Sequence, residues 1–267
     1  LRRIGFARDG EANPERLHRM GLLSGEAYRA LRRALEYLLR LRNELHFHAR
    51  SAADALVRSE QVRLAEMDGY PGQEGQLPVE QFMQEHFHQT STVREIVEHF
   101  VAGARWRHPH LRRVISFLTS HQVEGLYRVG PTTIAATRRG LARVTSRLDE
   151  MLRLMDLAGR YNCHIDHPTW RAIRKAMRAQ PDLPVDRDAA ERFLSLLSHP
   201  NRLGALLHRL HETRVLEKLV PGYDHARCLL QFNEYHKYTV DEHSIRSVQR
   251  ATEFLQGQNA LGHAYRD

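Results

Sequence analysis

Along most of the chain, apolar residues return every three or four positions, the spacing of helices that each bury one face. Between Ser24 and His48, the residues Tyr28, Leu31, Leu35, Leu38, Leu39, Leu41 and Leu45 line one side, and Ser24 stands where an N-cap belongs. Ser51 followed by Asp54 three residues later is a shortened capping box, which predicts a second helix running to Met67 and stopped at Gly69-Tyr70-Pro71-Gly72. Pro78 suits the first turn of a third helix, whose face carries Val79, Phe82, Met83, Phe87, Val93, Ile96, Val97, Phe100 and Val101. Three long amphipathic helices predict a bundle.

The period changes after Trp106. Residues 114–136, with Val114-Ile115-Ser116-Phe117-Leu118 and then Val123 to Val129, read as short strands before Gly130-Pro131. Helical spacing resumes from Leu141 to Ala158, and shorter helices are predicted over 168–179, 187–198 and 201–212. A short helix from Val215, a break at Pro221-Gly222 and a last helix carrying Tyr235 to Gln256 complete the reading. The fold class is therefore mainly α, a helical bundle with a small β insertion near residues 114–136. One soft boundary falls at Gln180-Pro181-Asp182-Leu183-Pro184, dividing 1–181 from 182–267.

A hydrophobic share of 42% and a charged share of 27% are those of a folded protein with a real core. No apolar run reaches the roughly 18 residues of a spanning helix, so no membrane is expected. Cys163 and Cys228 lack the spacing of a zinc or redox pair and are too few for a disulfide framework, which points to a reducing, cytoplasmic setting. The net charge of +8 changes the picture more. Residues 1–110 hold 16 basic and 15 acidic side chains, 111–181 hold 13 and 5, and 182–267 hold 11 and 12, so the whole excess lies in the middle. Arg112, Arg113, Arg128, Arg138, Arg139, Arg143 and Arg147 are the candidate contacts of a basic docking surface for an acidic protein or nucleotide phosphates, with a solvated face as the plain alternative. With no basic-aromatic RNA motif and no helix-turn-helix pattern, specific nucleic-acid binding is not expected.

The chain has 18 histidines. His46-Phe47-His48 and His86-Phe87-His88 place their rings about 200° apart on a helix, too far round for one ion, so packing and hydrogen bonding are the expected roles. His236 and His243, seven apart, would share a face of one continuous helix with Asp241 and Glu242 beside them, and capping or core roles compete there with metal coordination. Asp186-Arg187-Asp188 has the spacing of a two-metal pair but opens a helix, where acids cap and offset the dipole. Walker A, dinucleotide-turn, GxSxG and HExxH patterns are missing.

Three stretches resemble the bifunctional PII uridylyltransferase/uridylyl-removing enzymes of bacterial nitrogen signalling. They are Arg42-Asn43-Glu44-Leu45-His46 with Asp54 and Gln61; Gly69-Tyr70 with Leu77-Pro78-Val79-Glu80-Gln81-Phe82-Met83; and Leu230-Gln231-Phe232-Asn233-Glu234-Tyr235-His236 continuing to Arg246. The resemblance implies an enzyme that transfers UMP from UTP to the regulatory protein PII with Mg2+, and removes it at an HD site holding a divalent metal. His243 matches the first ligand of that site. The family's constellation of a Gly-Ser and an Asp-x-Asp upstream of the helices, and its His-Asp dipeptide, have no counterpart, and there is no room for its glutamine-sensing ACT domains. The resemblance thus implies a central segment, cut at both ends: residues 1–181 following the nucleotidyltransferase domain and 182–267 leading into the HD domain. Such a segment is expected to be inactive alone.

Overall fold

In the computed structural model, which describes residues 1–104, 120–233, 235 and 238–256, the chain begins with two short helices, α1 (Arg2–Asp9) and α2 (Pro14–Arg19). Asn13 caps α2 and Pro14 occupies its first turn, where a missing N–H costs nothing. Then come α3 (Gly25–Ala49), α4 (Arg58–Met67) and α5 (Pro78–Ala104). Ser24 is the cap of α3 as expected, its Oγ accepting from Ala27 N at 3.2 Å. α5 packs against both α3 and α4, forming the predicted bundle. Leu41, Leu45, Leu64, Ala65, Val79, Phe82 and Met83 make one core, and Leu17, Leu23, Ile96 and Phe100 a second.

Two sequence expectations fail here. The second helix starts at Arg58 and not at Ser51, because Asp54 turns away from the backbone to pair with side chains of α3. The last helix starts at Val240 and not at Tyr235. Asn233 Oδ1 accepts from Tyr235 N at 3.1 Å, an Asx turn that competes with helix, while Val240 N donates to Leu229 O at 2.8 Å.

Beyond residue 119 the chain forms β1 (His121–Val123), β2 (Tyr127–Val129) and β3 (Thr133–Ala136), then α6 (Arg138–Val144), α7 (Leu148–Arg160), β4 (His164–Ile165) and α8 (His167–Ala179). The sheet order is β1-β2-β3-β4, antiparallel until β3, which pairs parallel with β4. The turn between β1 and β2 uses Glu124 and Gly125, both at positive φ. The sequence pattern does not predict β4: a two-residue strand has no readable alternation, and it enters the sheet only because α6 and α7 carry the chain back in the parallel sense. The expected strand at 114–118 lies outside the described residues.

Next follow α9 (Arg187–Leu197), α10 (Pro200–Glu212), α11 (Leu216–Leu219), α12 (Tyr223–Ala226) and α13 (Val240–Gln256). Asp186 caps α9, its Oδ1 accepting from Ala189 N at 2.8 Å, so the capping role expected of this acid is the one observed. α7 is the central element: Leu148, Met151, Leu152, Leu154, Met155, Leu157 and Ala158 are all buried, joined by Tyr127, Ile134, Ile173, Met177, Leu210 and Ile245. Buried Tyr127 donates its hydroxyl to Glu150 Oε2 at 3.0 Å.

The chain divides by internal contacts into two units, Leu1–Arg107 with Arg227–Val240, and His108–Ala226 with Asp241–Asp267. The segment 180–185 lies inside the second unit, between α8 and α9. Within the first, the returning segment lies on α4 and α5. Leu230 and Phe232 pack on their core, Phe232 N donates to Glu80 Oε1 at 2.8 Å, Gln84 Nε2 donates to Arg227 O at 3.0 Å, and Arg58 stacks over the Phe232 ring. Among the described residues no helix is long and apolar enough to cross a membrane.

Candidate functional site

In the first unit, three residues of the first resembling stretch, Arg42, His46 and Asp54, meet. Arg42 and His46 lie one turn apart on α3, and both reach Asp54 in the segment 52–57 that leads into α4. Arg42 Nε and Nη2 donate to the two carboxylate oxygens at 2.8 and 3.1 Å, and His46 Nε2 lies 2.9 Å from Oδ1. The His46 and Arg42 hydrogen bonds hold the Asp54 carboxyl below its usual range. His48 points elsewhere, to Glu60 Oε1 at 2.8 Å, and Arg63 holds that carboxylate down as well. The pair His46 and His48 thus serves two different acids, as the angular argument requires.

Behind this clasp a cleft of about 380 Å³ is lined by Leu38, Leu41, Arg42, Leu45, Asp54, Leu56 and His86. Its floor is apolar except for His86, whose Nδ1 is buried without a hydrogen-bond partner among the described residues. Burial lowers the His86 pKa, favouring neutral imidazole. The neighbouring Tyr37 hydroxyl is buried and unpartnered among the described residues too, its ring 6.2 Å from that of His86, and burial raises its pKa. Sequence reasoning misses this pair. Tyr37 and His86 sit at ordinary positions of amphipathic helices and become neighbours only when α3 meets α5.

In the second unit, His243 is exposed on the first turns of α13, while Asp241 beside it is buried and lies 3.4 Å from His211 Nε2. Tyr223 donates its hydroxyl to Asp241 O at 2.8 Å and its ring meets His211 edge to face. Asp241 therefore anchors the start of α13 and does not face outward with His243. His236 lies outside the described residues, and since α13 begins at Val240, the continuous helix expected to join it to His243 does not exist. Among the described residues no group of three or more His, Cys, Asp or Glu side chains is placed to hold a metal ion.

The basic segment is less uniformly free than its sequence implies. Arg143 is exposed but pairs with Glu150 at 2.9 Å, and Arg147 pairs with Asp149 at 2.9 Å. Arg153 pairs with Glu124 and, at 3.2 Å, with Asp156, which also holds Arg160 at 2.9 Å. Arg128 is exposed on β2, and Arg138 and Arg139 are exposed on α6. Arg112 and Arg113 lie outside the described residues. A second cleft, about 330 Å³, runs between α7 and α9 and is lined by charges of both signs, among them Asp149, Asp156, Asp188, Glu191, Arg160 and Arg192.

Comparison with known proteins places these features in context. Residues 4–101 match the GlnD PII-uridylyltransferase family. That stretch spans nearly all of α1 to α5 and includes the clasp. Proteins named bifunctional uridylyltransferase/uridylyl-removing enzyme from Ruegeria pomeroyi, Cereibacter sphaeroides and Novosphingobium aromaticivorans are each 29% identical to the chain, over 90, 88 and 91% of its length. The chain spans about a quarter of those relatives, 26, 26 and 27% of their lengths. No solved structure matches it significantly. At the level of family, the chain resembles PII-uridylyltransferases, a nucleotidyltransferase class of enzyme.

Proposed function

We propose that the chain is the helical core of a PII-uridylyltransferase-type enzyme, the region that supports the positioning of UTP and PII while neighbouring parts of a longer protein carry the chemistry. The observation that carries this reading is the family match over residues 4–101, which falls within one packed unit whose Arg42, His46 and Asp54 form one clasp. In this reading residues 1–181 follow a nucleotidyltransferase domain and residues 182–267 lead into an HD-type domain. The buried thiols of Cys163 and Cys228 and a nucleotide substrate fit a cytoplasmic setting.

The metal chemistry of such an enzyme does not fit this chain by itself. Mg2+ would neutralise the triphosphate during transfer, and a divalent ion would serve the hydrolytic site. The described carboxylates and imidazoles form no ligand set, and exposed His243 would contribute one ligand only. With a single ligand in place of a set, the chain alone is expected to carry neither activity.

The test is a chimera in which this chain replaces the aligned segment of the Ruegeria pomeroyi relative. A folded chimera that uridylylates PII with UTP and Mg2+, within about tenfold of the parent rate, is the expected result. A chimera that folds, binds UTP and transfers nothing would overturn the reading.

A further inference from the structure

Among the described residues of the middle segment, exposed cations gather on two helices. Its carboxylates Glu124, Asp149, Glu150 and Asp156 are all ion-paired to arginines of the same segment, and Asp166 caps α8. α6 and α8 run side by side in the same direction. At their N-terminal ends Ala136 N donates to Thr169 Oγ1 at 3.0 Å, and at their C-terminal ends Gln180 Nε2 donates to Thr145 O at 3.1 Å. Val144 of α6 and Ile173 and Met177 of α8 enter one core, so the outer sides of the two helices adjoin. On that outer side stand Arg138 and Arg139 from α6, and Arg171, Lys175 and Arg178 from α8 at the one-face spacing of four and three. Arg138, Arg139, Arg171 and Lys175 make no ion pair with another described residue.

Local electrostatics would not place Arg138 and Arg139 so. Cations in the first turn of a helix oppose its dipole, and acids are the usual choice there. α6 has two arginines in its first turn and no acid, whereas α8 carries the acid Asp166 at its N-cap and Arg178 in its last turn, as the dipole favours. Arg138 and Arg139, which break the local rule and make no ion pair with another described residue, are best explained by a compensating contact outside the fold.

We propose that this α6–α8 face docks an acidic surface of a partner protein. Two observations favour a compact acidic epitope over a nucleic acid. The face is bordered by carboxylates: Arg147, just past α6, meets Asp149 at 2.9 Å, Asp186 at 3.9 Å and Asp188 at 4.0 Å, and an extended polyanion would run across that border. Neither helix offers an exposed aromatic ring to stack a base, since α6 has none and Trp170 packs against the core. The proposal goes beyond the family reading and stands without it. Arg143, a sequence candidate, is held by Glu150, whereas Arg171, Lys175 and Arg178 join the face only through the packing of α8 on α6.

The test uses the intact chain and a labelled helical peptide with Glu at positions i, i+4 and i+7, read by fluorescence anisotropy. Binding should weaken at least about tenfold between about 50 and 300 mM salt. Arg138→Glu with Arg139→Glu, and separately Arg171→Glu with Lys175→Glu, should each weaken it about tenfold, while Arg187→Glu, at an exposed arginine on α9, leaves it unchanged. Should a reversal unfold the chain by circular dichroism, the corresponding Gln variants replace it. Absence of salt-sensitive peptide binding, or binding indifferent to both double variants, overturns the proposal. Tighter binding of duplex DNA than of the peptide overturns it in favour of a nucleic-acid surface.

Discussion

Burial leaves His86 Nδ1 without a hydrogen-bond partner among the described residues and pushes the imidazole pKa below its ordinary 6.5. A base whose folded pKa is lowered binds its proton more readily unfolded, so its contribution is fully present above 6.5 and is lost as pH falls through the lowered folded value. Urea unfolding should therefore show wild type losing stability between pH of about 7.5 and about 5.5, by at most about 1.4 kcal/mol per unit from this residue. His86→Phe keeps the ring and removes the titration. The wild-type loss should be steeper than the variant's, and parallel pH curves would refute the assignment. Asp54 acts in a different window. Its carboxyl is held below 3.8, so the clasp persists above that value and opens as pH falls further, seen as faster amide exchange in residues 52–57. Asp54 was legible as a residue that would matter, but not as what it is. A side chain three residues after a serine reads as a cap, and only the meeting with Arg42 and His46 shows the stronger, charge-assisted alternative.

At the scale of elements, the helices were legible wherever their periodicity ran long, and α3, α5, α8, α9 and α10 stand within a few residues of expectation. What escaped were junctions decided by tertiary contact. Gly140 is one. It is the third residue of α6, and a Cβ built there would meet Leu126 O at 2.0 Å, because α6 starts directly on the β1–β2 turn, with Thr137 N donating to that same oxygen at 2.8 Å. Gly140→Ala must push the helix off the turn and should destabilise the second unit by about 2–3 kcal/mol, measured by denaturant unfolding. Asp166 caps α8 with Oδ1 accepting from Thr169 N at 3.2 Å, while burial raises its pKa. Asp166→Ala should cost about 1 kcal/mol, whereas Asp166→Asn keeps the acceptor, removes the buried charge and should cost little or stabilise at neutral pH. Equal losses in both variants would refute a capping role.

For the whole molecule, the pairing of distant segments was the least legible feature. Nothing local to Phe232 announces that it packs on α4 and α5, and nothing local to Asp241 announces His211. Composition and turn signals divide the chain once, near residue 180. By internal contacts the chain passes from the first unit to the second and back before ending in the second. Phe232→Ala should therefore loosen a unit built mostly from residues more than a hundred positions earlier. We expect a loss of about 2 kcal/mol in the protection of α4 and α5 amides, with the sheet amides of the second unit unchanged. Uniform loosening of both units would show that Phe232 supports the chain in some other way.

That discontinuity also sets an order of events during synthesis. A chain emerging from the ribosome presents α3, α4 and α5 early, with Val79 and Phe82 already in reach of their helical partners. Leu230 and Phe232, which cover the same core, are made only after the entire β sheet and the helices up to α12 have appeared. Until then the core shared by α4 and α5 lacks part of its cover, leaving apolar surface exposed while the rest of the chain is made.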